Sequence, residues 1–362
     1  MTLQNSNILN SQSHEICFYV GEVNNNSSWK IWNKPKGCKF VHILAVGGGG
    51  GGSGGQCASG ANTFLGGGAG GGGGGSHSTF LPAVFIPDIL YINCGKGGLG
   101  GSGDYHDGTT TTTRATSGET GGNTYVCCYP DTNVGNILVL GTSGGGASTA
   151  VSSYSDSASS GAAQGGAGGL TVSNTLVPFK NLGIYAVKKG CAGSNSTKAN
   201  GLGQGIYDIY PINGATIGGL LSTNGYATGG GAGGAVNGLG GNTTQYSRIV
   251  APDGTAVPGL PDYFGPSIYA SNQIGGDGVN YYLGYNNLSL MKYSSIFNQG
   301  LPLCFTGGAG GSYSNSSTIP NGGNGGLGSG GGGGGATVGS STPRQGGRGG
   351  NGGPGFVLIQ CI

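Results

Sequence analysis

Apolar residues along this chain occur in short runs rather than in long periodic stretches. The run Phe40–Val46 (FVHILAV) is rich in β-formers and predicts a strand. Strands are also predicted at Asn136–Leu140 and Phe356–Cys361, and Val84–Cys94 is predicted as two short extended pieces bent at Pro87-Asp88. No segment keeps an apolar period of 3.6 residues, so almost no α-helix is expected.

Between the apolar runs lie segments made largely of glycine. Within them, pairs of glycines separate single other residues, as around Lys96, Leu99 and Ser102. A polyproline-II helix has three residues per turn, so one edge would carry every side chain and two edges would be bare backbone. Because this helix makes no internal hydrogen bonds, packed neighbours must supply its partners. We predict a bundle of such rods at approximately 47–55, 66–75, 97–103, 144–146, 161–169, 229–241, 307–311, 322–335 and 346–355.

The composition supports this unusual architecture only if the glycines are ordered. The chain has 362 residues, of which 89 are Gly and 7% are charged, against about 7% Gly and about 25% charge in typical proteins. Ordering so many glycines costs on the order of 100 kcal/mol, and the period-three pattern argues that the chain meets this cost by packing. Collagen is excluded, because two positions in three are glycine and only 14 residues are Pro.

Charge and hydropathy exclude several classes of partner. The formal net charge is +2 and the basic residues are scattered, which does not favour nucleic acid or anionic lipid. No apolar run is long enough to span a membrane, and the N-terminus lacks a secretory signal, so we expect synthesis in a cytosol. The odd number of cysteines at irregular spacing predicts small buried apolar residues rather than a disulfide framework or a zinc site. They are Cys17, Cys38, Cys57, Cys94, Cys127, Cys128, Cys191, Cys304 and Cys361.

One glycine-rich domain is predicted at 39–362, after a short lead-in at 1–38. Glycine-poorer loops are predicted at about 104–143, 170–228 and 242–305. The last is rich in Tyr, Asn and Ser, a mixture typical of recognition surfaces, where rigid rings give contact area at low entropic cost. The same rings could instead fill space between loops or subunits, and both interpretations remain open. The candidate contact residues are Tyr263, Phe264, Tyr269, Tyr281, Tyr282, Tyr285 and Tyr293.

The sequence offers little catalytic chemistry. Asp104-Tyr105-His106-Asp107 groups ligand-type side chains, but a polar turn leaving a glycine rod explains it more simply. His77 has no obvious partner, and the run 47–52 is not followed by the Lys-Ser/Thr of a phosphate-binding loop. No motif indicates a carboxylate pair for glycoside hydrolysis. We therefore predict a non-enzymatic protein with no catalytic residue, metal or cofactor.

Three blocks of the chain resemble the glycine-rich domain of phage tail-fibre proteins and, more distantly, the tip adhesins of long tail fibres. They are the entry Trp32–Gly37 with the strand and glycines through Gly52, the block Val84–Gly98, and the ending Gly352–Ile359. The chain departs from that family at Asp88, where Gly often follows Pro, and in its long loops. Little sequence precedes the domain to form a fibre shaft.

The resemblance implies a sandwich of polyglycine rods whose variable loops contact a host surface at one end. It leads us to expect a phage virion protein of the fibre-tip or adhesin type, made in the host cytoplasm and binding a surface polysaccharide or an outer-membrane protein. The lead-in 1–38 would attach to other virion subunits, and the resemblance is compatible with a homotrimer, which no heptad or β-helix repeat in this chain specifies. The alternatives are a purely structural virion component, such as a head fibre, capsid decoration or tail adaptor, and, more weakly, a polysaccharide depolymerase.

Overall fold

The computed structural model describes residues 15–23, 25, 28–59, 66–107, 111–148, 163–170, 184–190, 192–193, 275, 277, 280–282, 303–305, 307–308, 310–311, 314, 317–339 and 343–361. The only helical elements in this part of the chain are the 3-10 turns Ala83–Phe85 and Val134–Asn136, which confirms the expected mixture of strands and irregular backbone. The predicted rod at 229–241 lies outside the described residues.

Short strands alternate with glycine segments along the described chain. In chain order they are β1 Glu15–Val20, β2 Lys30–Asn33, β3 Phe40–Val46, β4 Cys57–Ser59, β5 Ser76–Pro82, β6 Ile89–Asn93, β7 Tyr105–His106, β8 Thr111–Thr113, β9 Thr124–Cys127, β10 Ile137–Gly141, β11 Ile184–Lys188, β12 Asn280–Tyr282, β13 Leu303–Phe305, β14 Thr337–Gly339, β15 Arg344–Gln345 and β16 Phe356–Cys361. The strands predicted at Phe40–Val46, Asn136–Leu140 and Phe356–Cys361 are thereby confirmed.

The two larger sheets form a β-sandwich. One has the strand order β1-β16-β3-β5-β11 and the other β10-β9-β6-β2, and neighbouring strands in both are antiparallel. The buried core between them draws on both sheets, with Val41, Ile43 and Leu81 meeting Leu90 and Ile92. The sandwich therefore has the apolar core that the glycine segments cannot form.

The glycine segments are rods that continue the strands. We number them in chain order as rod 1 (47–56), rod 2 (66–75), rod 3 (95–104), rod 4 (116–122), rod 5 (142–148), rod 6 (163–170), rod 7 (320–327), rod 8 (328–336) and rod 9 (346–355). Rods 1, 3 and 5 follow β3, β6 and β10, whereas rods 2, 4 and 9 lead into β5, β9 and β16. The sandwich thus caps one end of the rod bundle, and we call the opposite end the distal end.

Rod 1 is the centre of a hexagonal array. Its consecutive N–H groups, from Gly47 to Gln56, donate in strict rotation to carbonyl oxygens of rods 2, 4 and 9, all antiparallel to it. Its carbonyl oxygens accept in the same rotation from rods 3, 5 and 8, which run parallel to it. Adjacent rods of this six-membered ring also bond to each other. The rotation by three residues is the turn of a polyproline-II helix, so the predicted rod bundle is present.

Side chains and glycines occupy different sides of the outer rods. In rod 6, Gln164, Ala167 and Leu170 are exposed, whereas Gly166 and Gly169 are buried. A Cβ built on Gly166 would overlap the carbonyl oxygen of Gly145 and lie 2.7 Å from the amide nitrogen of Gly72. Glycine is therefore required at these positions because the neighbouring backbone occupies the space of a side chain.

Three parts of the structure differ from the sequence-based expectation. The stretch 104–143, predicted as a loop, contains β7 to β10 and the additional rod 4. The segment 322–335, predicted as one rod, is two antiparallel rods joined at Gly328, whose positive φ of 68° reverses the chain. The first extended piece predicted at Val84 is instead the 3-10 turn Ala83–Phe85. Two strands of the lead-in 1–38 also pair in the sheets, β1 with β16 and β2 with β6.

The prediction for the cysteines is wrong for one pair. Cys38 and Cys361 form a disulfide, with their Cα atoms 5.7 Å apart, and join the start of β3 to the end of β16. Neighbouring strands bring these distant residues together, which spacing along the sequence cannot reveal. Cys17, Cys57, Cys94 and Cys127 are free and buried, as expected for small apolar residues, and Cys128 is free and half-buried.

Two histidines buried in the sandwich should make stability fall in mild acid. Burial lowers the pKa of His42 and of His77 from 6.5 to about 4, and Nδ1 of His77 accepts a hydrogen bond from the Leu140 amide at 3.1 Å. Between pH 6.5 and 4 the unfolded chain therefore binds protons that the folded chain does not. This stabilisation is complete above about pH 6.5 and decreases on acidification, by on the order of 2 kcal/mol per histidine at pH 5.

Urea unfolding at pH 7.5 and pH 5 measures this difference. We expect a lower midpoint at pH 5, and a smaller difference between the two midpoints in the double variant His42→Gln/His77→Gln. Equal midpoints for the unmodified chain at the two pH values would contradict the assignment.

Candidate functional site

Several segments that enter or leave the rods meet at the distal end of the rod bundle. Two small sheets lie there, β14-β4 and β15-β7-β8, formed by residues that leave or enter rods 1, 3, 4, 8 and 9. The chain also passes out of the described region at this end after Ser59, Asp107 and Gly339. The rods thus fix the positions of the two small sheets, and recognition surfaces are commonly built at such an end of a rigid scaffold.

A buried polar cluster holds the distal sheets on the rods. Asp104, at the end of rod 3, is only 4% exposed, and its carboxylate accepts hydrogen bonds from the backbone N–H groups of Cys57, at 3.3 Å, and Ala115. Arg344 and His106 are buried beside it in β15 and β7, whose residues pair directly. Asp104 therefore ties the segments after rod 1 and before rod 4 to rod 3, which is the structural role of a polar turn.

The Cys57 thiol in this cluster is not activated as a nucleophile. Burial raises its pKa to about 12, and the negative charge of Asp104 acts in the same direction, although Arg344 opposes it. The thiolate that would attack a substrate is therefore scarce at neutral pH. Within the described residues, no three His, Cys, Asp or Glu side chains are grouped closely enough to hold a metal ion.

The outer face of the three-stranded distal sheet carries an aromatic residue between polar neighbours. Tyr105 is 37% exposed and lies opposite Thr113 of β8 and Gln345 of β15. His106, the next residue in β7, points the other way and is buried, as strand alternation requires. Asp107, directly after β7, and Arg114, directly after β8, are exposed. This face combines a ring with hydroxyl, amide and charged groups, a chemistry suited to polar ligands.

The sequence-predicted contact residues fall into two groups. Tyr263, Phe264, Tyr269, Tyr285 and Tyr293 lie outside the described residues, and only the backbone of Tyr281 and Tyr282 is described, in β12. The chain re-enters the described region at Gly275, whose N–H donates to Asn321 at the distal start of rod 7. The Asp277 carboxylate then accepts from the Asn324 N–H at 2.7 Å. Gly275 and Asp277 therefore lie beside rod 7, in order from its distal start towards the sandwich. The partner strand of β12, β13, precedes Gly308, whose N–H donates to Gly330 near the sandwich end of rod 8, so β12 lies away from the distal end.

Side chains on the flank of the bundle complete the hydrogen bonding of the outermost rods. Asn351 accepts from the Gly100 N–H at 2.9 Å through Oδ1, and Asn324 accepts in the same way from the Asn351 N–H. Thr116 accepts from the Ser102 N–H. Polar side chains at the third positions thus accept from N–H groups that meet no backbone carbonyl oxygen of a neighbouring rod. The sequence pattern located these positions but gave no sign of this role.

Removing the Asp104 carboxylate should loosen the distal sheets. In Asp104→Ala the N–H groups of Cys57 and Ala115 lose their acceptor, so we expect the free energy of unfolding to fall by about 1–3 kcal/mol. Asp107→Ala is the matched control, because Asp107 is exposed and should change stability by less than about 0.5 kcal/mol. Urea unfolding of the three proteins measures the difference. Equal midpoints for the two variants would remove Asp104 from this role.

The rod array and its strand cap can be compared with known families. The model of a glycine-rich domain family matches residues 24–281, about seven-tenths of the chain. The chain belongs to this glycine-rich domain family. The match ends before rods 7 to 9 and β16, so in this glycine-rich domain the central ring is completed by residues beyond the matched stretch. No curated protein matches the chain. No helix among the described residues is long and apolar enough to cross a bilayer.

Proposed function

We propose that this glycine-rich domain is a phage virion protein of the fibre-tip or adhesin type, which binds a host surface receptor through its distal end. The observation that carries the proposal is the central rod, whose N–H groups from Gly47 to Gln56 are all bonded to surrounding rods. Such an array is stiff without a large apolar core. It can therefore hold a recognition surface at a fixed distance from an attachment point.

The proposal assigns receptor contact to the distal face around Tyr105 and to the segment that precedes Gly275. That segment contains Tyr263, Phe264 and Tyr269, and it rejoins the described chain at the distal end beside Asn321. A host polysaccharide and an outer-membrane protein both present polar groups that tyrosines bind well. In this proposal the chain binds its receptor without cleaving it and uses no cofactor.

A purely structural virion role is the second candidate. It is favoured by β12, which runs towards the sandwich end, so that Tyr281 and Tyr282 are carried away from the distal face. Aromatic residues near that end suit contacts with sibling subunits or other virion proteins, including a homotrimer. The two candidates differ in which end of the molecule contacts the host.

Adsorption to host cells separates the two roles. The purified, fluorescently labelled full chain should bind host cells, and Tyr105→Ala or exchange of residues 242–274 with those of a relative should weaken or redirect binding. Val84→Ser, at the opposite end, is the control and should bind normally. Normal adsorption by every distal variant, combined with failed particle assembly, would reject the adhesin role and favour the structural one.

A further inference from the structure

The tip of the β-sandwich, at the far side from the distal loops, carries an exposed apolar surface. Val84 is 82% exposed, Phe85 53% and Phe40 40%. Phe40 stacks on Phe80, with ring centroids 5.2 Å apart and an interplanar angle of 12°. Ile89, Tyr129 and Val134 are also exposed on strand ends and connections at this tip. We call Phe40, Phe80, Val84 and Phe85 the tip patch.

The turn that presents the tip patch is rigidly held. In the 3-10 turn and the residue after it, Ala83 and Ile86 point into the core and are 3% and 4% exposed, which directs Val84 and Phe85 outwards. The Lys34 ammonium group donates to the carbonyl oxygens of Ala83 and Ile86 at 3.2 and 3.0 Å. It also pairs with Asp88 at 2.8 Å. The turn is thus held by hydrogen bonds and buried contacts, and it keeps the side chains of Val84 and Phe85 exposed to water.

Exposing these apolar side chains to water costs free energy, and packing within the chain does not remove that cost. Soluble proteins rarely expose a contiguous group of large apolar side chains unless it contacts another molecule. Val84 and Phe85 of the tip patch lie on the connection between the two sheets, because residues 83–88 connect β5 of one sheet to β6 of the other. Since Val84 and Phe85 protrude, a partner would need a concave apolar surface to receive them.

The charges around the tip patch identify the chemistry of the partner. Lys36 and Lys39 are exposed on the segment that leads into Phe40. Among the described side chains near the patch, Asp88 is paired with Lys34, whereas Asp131 keeps its negative charge while it accepts hydrogen bonds from the side chain of Asn136 and the N–H of Asn133. Lys36 and Lys39 outnumber the carboxylate of Asp131, so the rim of the patch carries a net positive charge. A second copy of this chain would oppose protruding side chains and lysines of the same charge, which disfavours self-association through this surface.

We infer that the tip patch is a docking surface for a different protein, one that offers an apolar pocket with an acidic rim. Val84 and Phe85 enter the pocket and Lys36 and Lys39 face the acidic residues. The inference is independent of whether the distal end binds a host receptor, because it concerns the opposite end of the molecule. It also explains why the turn at residues 83–86 is held by so many contacts.

Site-specific photocrosslinking in the cells that make the full chain tests this inference. Benzoylphenylalanine in place of Val84 should crosslink one defined protein, whereas the same group in place of Leu170, which is 65% exposed on rod 6, should not. The crosslinked protein is then purified and titrated with the unmodified chain. Affinity should fall about tenfold or more in Phe85→Ser and in Lys36→Glu/Lys39→Glu, as for loss of a packed anchor or of rim charge. The melting temperatures of these variants should stay unchanged, because the side chains are exposed.

Four results would overturn the inference. Absence of a crosslink from position 84, or an equal crosslink from position 170, would show that the patch is not a specific surface. A crosslink to a second copy of this chain would make it a self-association surface instead. Unchanged affinity of the identified protein for all the variants would place its contact elsewhere.

Discussion

Gly166→Val should prevent rod 6 from packing, whereas Ala167→Val should leave the protein folded. The two residues are adjacent, and valine adds more side chain at each. At Gly166 the new Cβ would overlap the Gly145 carbonyl oxygen and crowd the Gly72 amide nitrogen. At Ala167 the side chain already points to water. Neighbouring backbones cannot yield without breaking hydrogen bonds, so we expect a loss of roughly 4 kcal/mol or more at Gly166 and little change at Ala167.

Urea unfolding and the yield of soluble protein measure this pair directly. Gly325→Val and Asn324→Val form a second matched pair in rod 7, since a Cβ on Gly325 would meet the backbone of Ser329 and Gly330 while Asn324 is exposed. Asn324→Val also removes the acceptor for the Asn351 N–H, so a modest loss of about 1 kcal/mol is expected there. If both members of a pair proved equally harmless, close backbone packing would not be what stabilises the rods.

The period-three pattern predicted the rods because it is a direct consequence of backbone geometry. Three residues per turn and two bare edges follow from Gly-Gly-x alone. Rod 4 was not predicted because its sequence, TSGETGG, has side chains at most of its positions. A rod on the outside of the bundle can carry these side chains. The boundary between rods 7 and 8 was not predicted because a glycine run contains no residue that marks a turn. Only the positive φ of Gly328 in the structure shows where the chain reverses.

Which rods become neighbours could not be predicted from the glycines, because residues without side chains do not distinguish one partner from another. The strands supply that information. Pairing of Val46 with Phe356 in the sandwich places rods 1 and 9 side by side, and the Gly49 N–H then donates to Gly353. Polar third-position residues such as Asn351 fix the offset further. The array is therefore specified by its apolar cap and its side-chain contacts, and the glycines permit it.

The candidate site was predictable only in part for the same reason. Asp104-Tyr105-His106-Asp107 stood out by composition, but its division into a buried acceptor, an exposed ring and a buried imidazole depends on strand alternation in β7. Arg344 joins the cluster from a distant part of the sequence and gave no local signal. The tip patch was missed because Val84 and Phe85 match the pattern of a buried strand, and only the 3-10 turn turns them outwards.

Since the sandwich sets the register of the rods, the covalent link at its tip should matter to the whole molecule. The disulfide joins Cys38 to Cys361 across a sequence separation of 323 residues. Closing so long a loop restricts the unfolded chain, with an effect on the order of 5 kcal/mol in the chain-entropy treatment. Cys38→Ser should therefore lower the free energy of unfolding by about 2–5 kcal/mol.

Cys128→Ser is the control for this variant, because Cys128 is free and half-buried, and it should change stability by less than about 1 kcal/mol. Alkylation of the denatured chain without reductant should leave Cys38 and Cys361 unmodified in a peptide mass map and label Cys128. Reductant should shift the urea midpoint of the unmodified chain towards that of Cys38→Ser, but not the midpoint of Cys38→Ser itself. Complete alkylation of both cysteines, or a Cys38→Ser variant as stable as Cys128→Ser, would show that strand pairing alone holds β3 and β16 together.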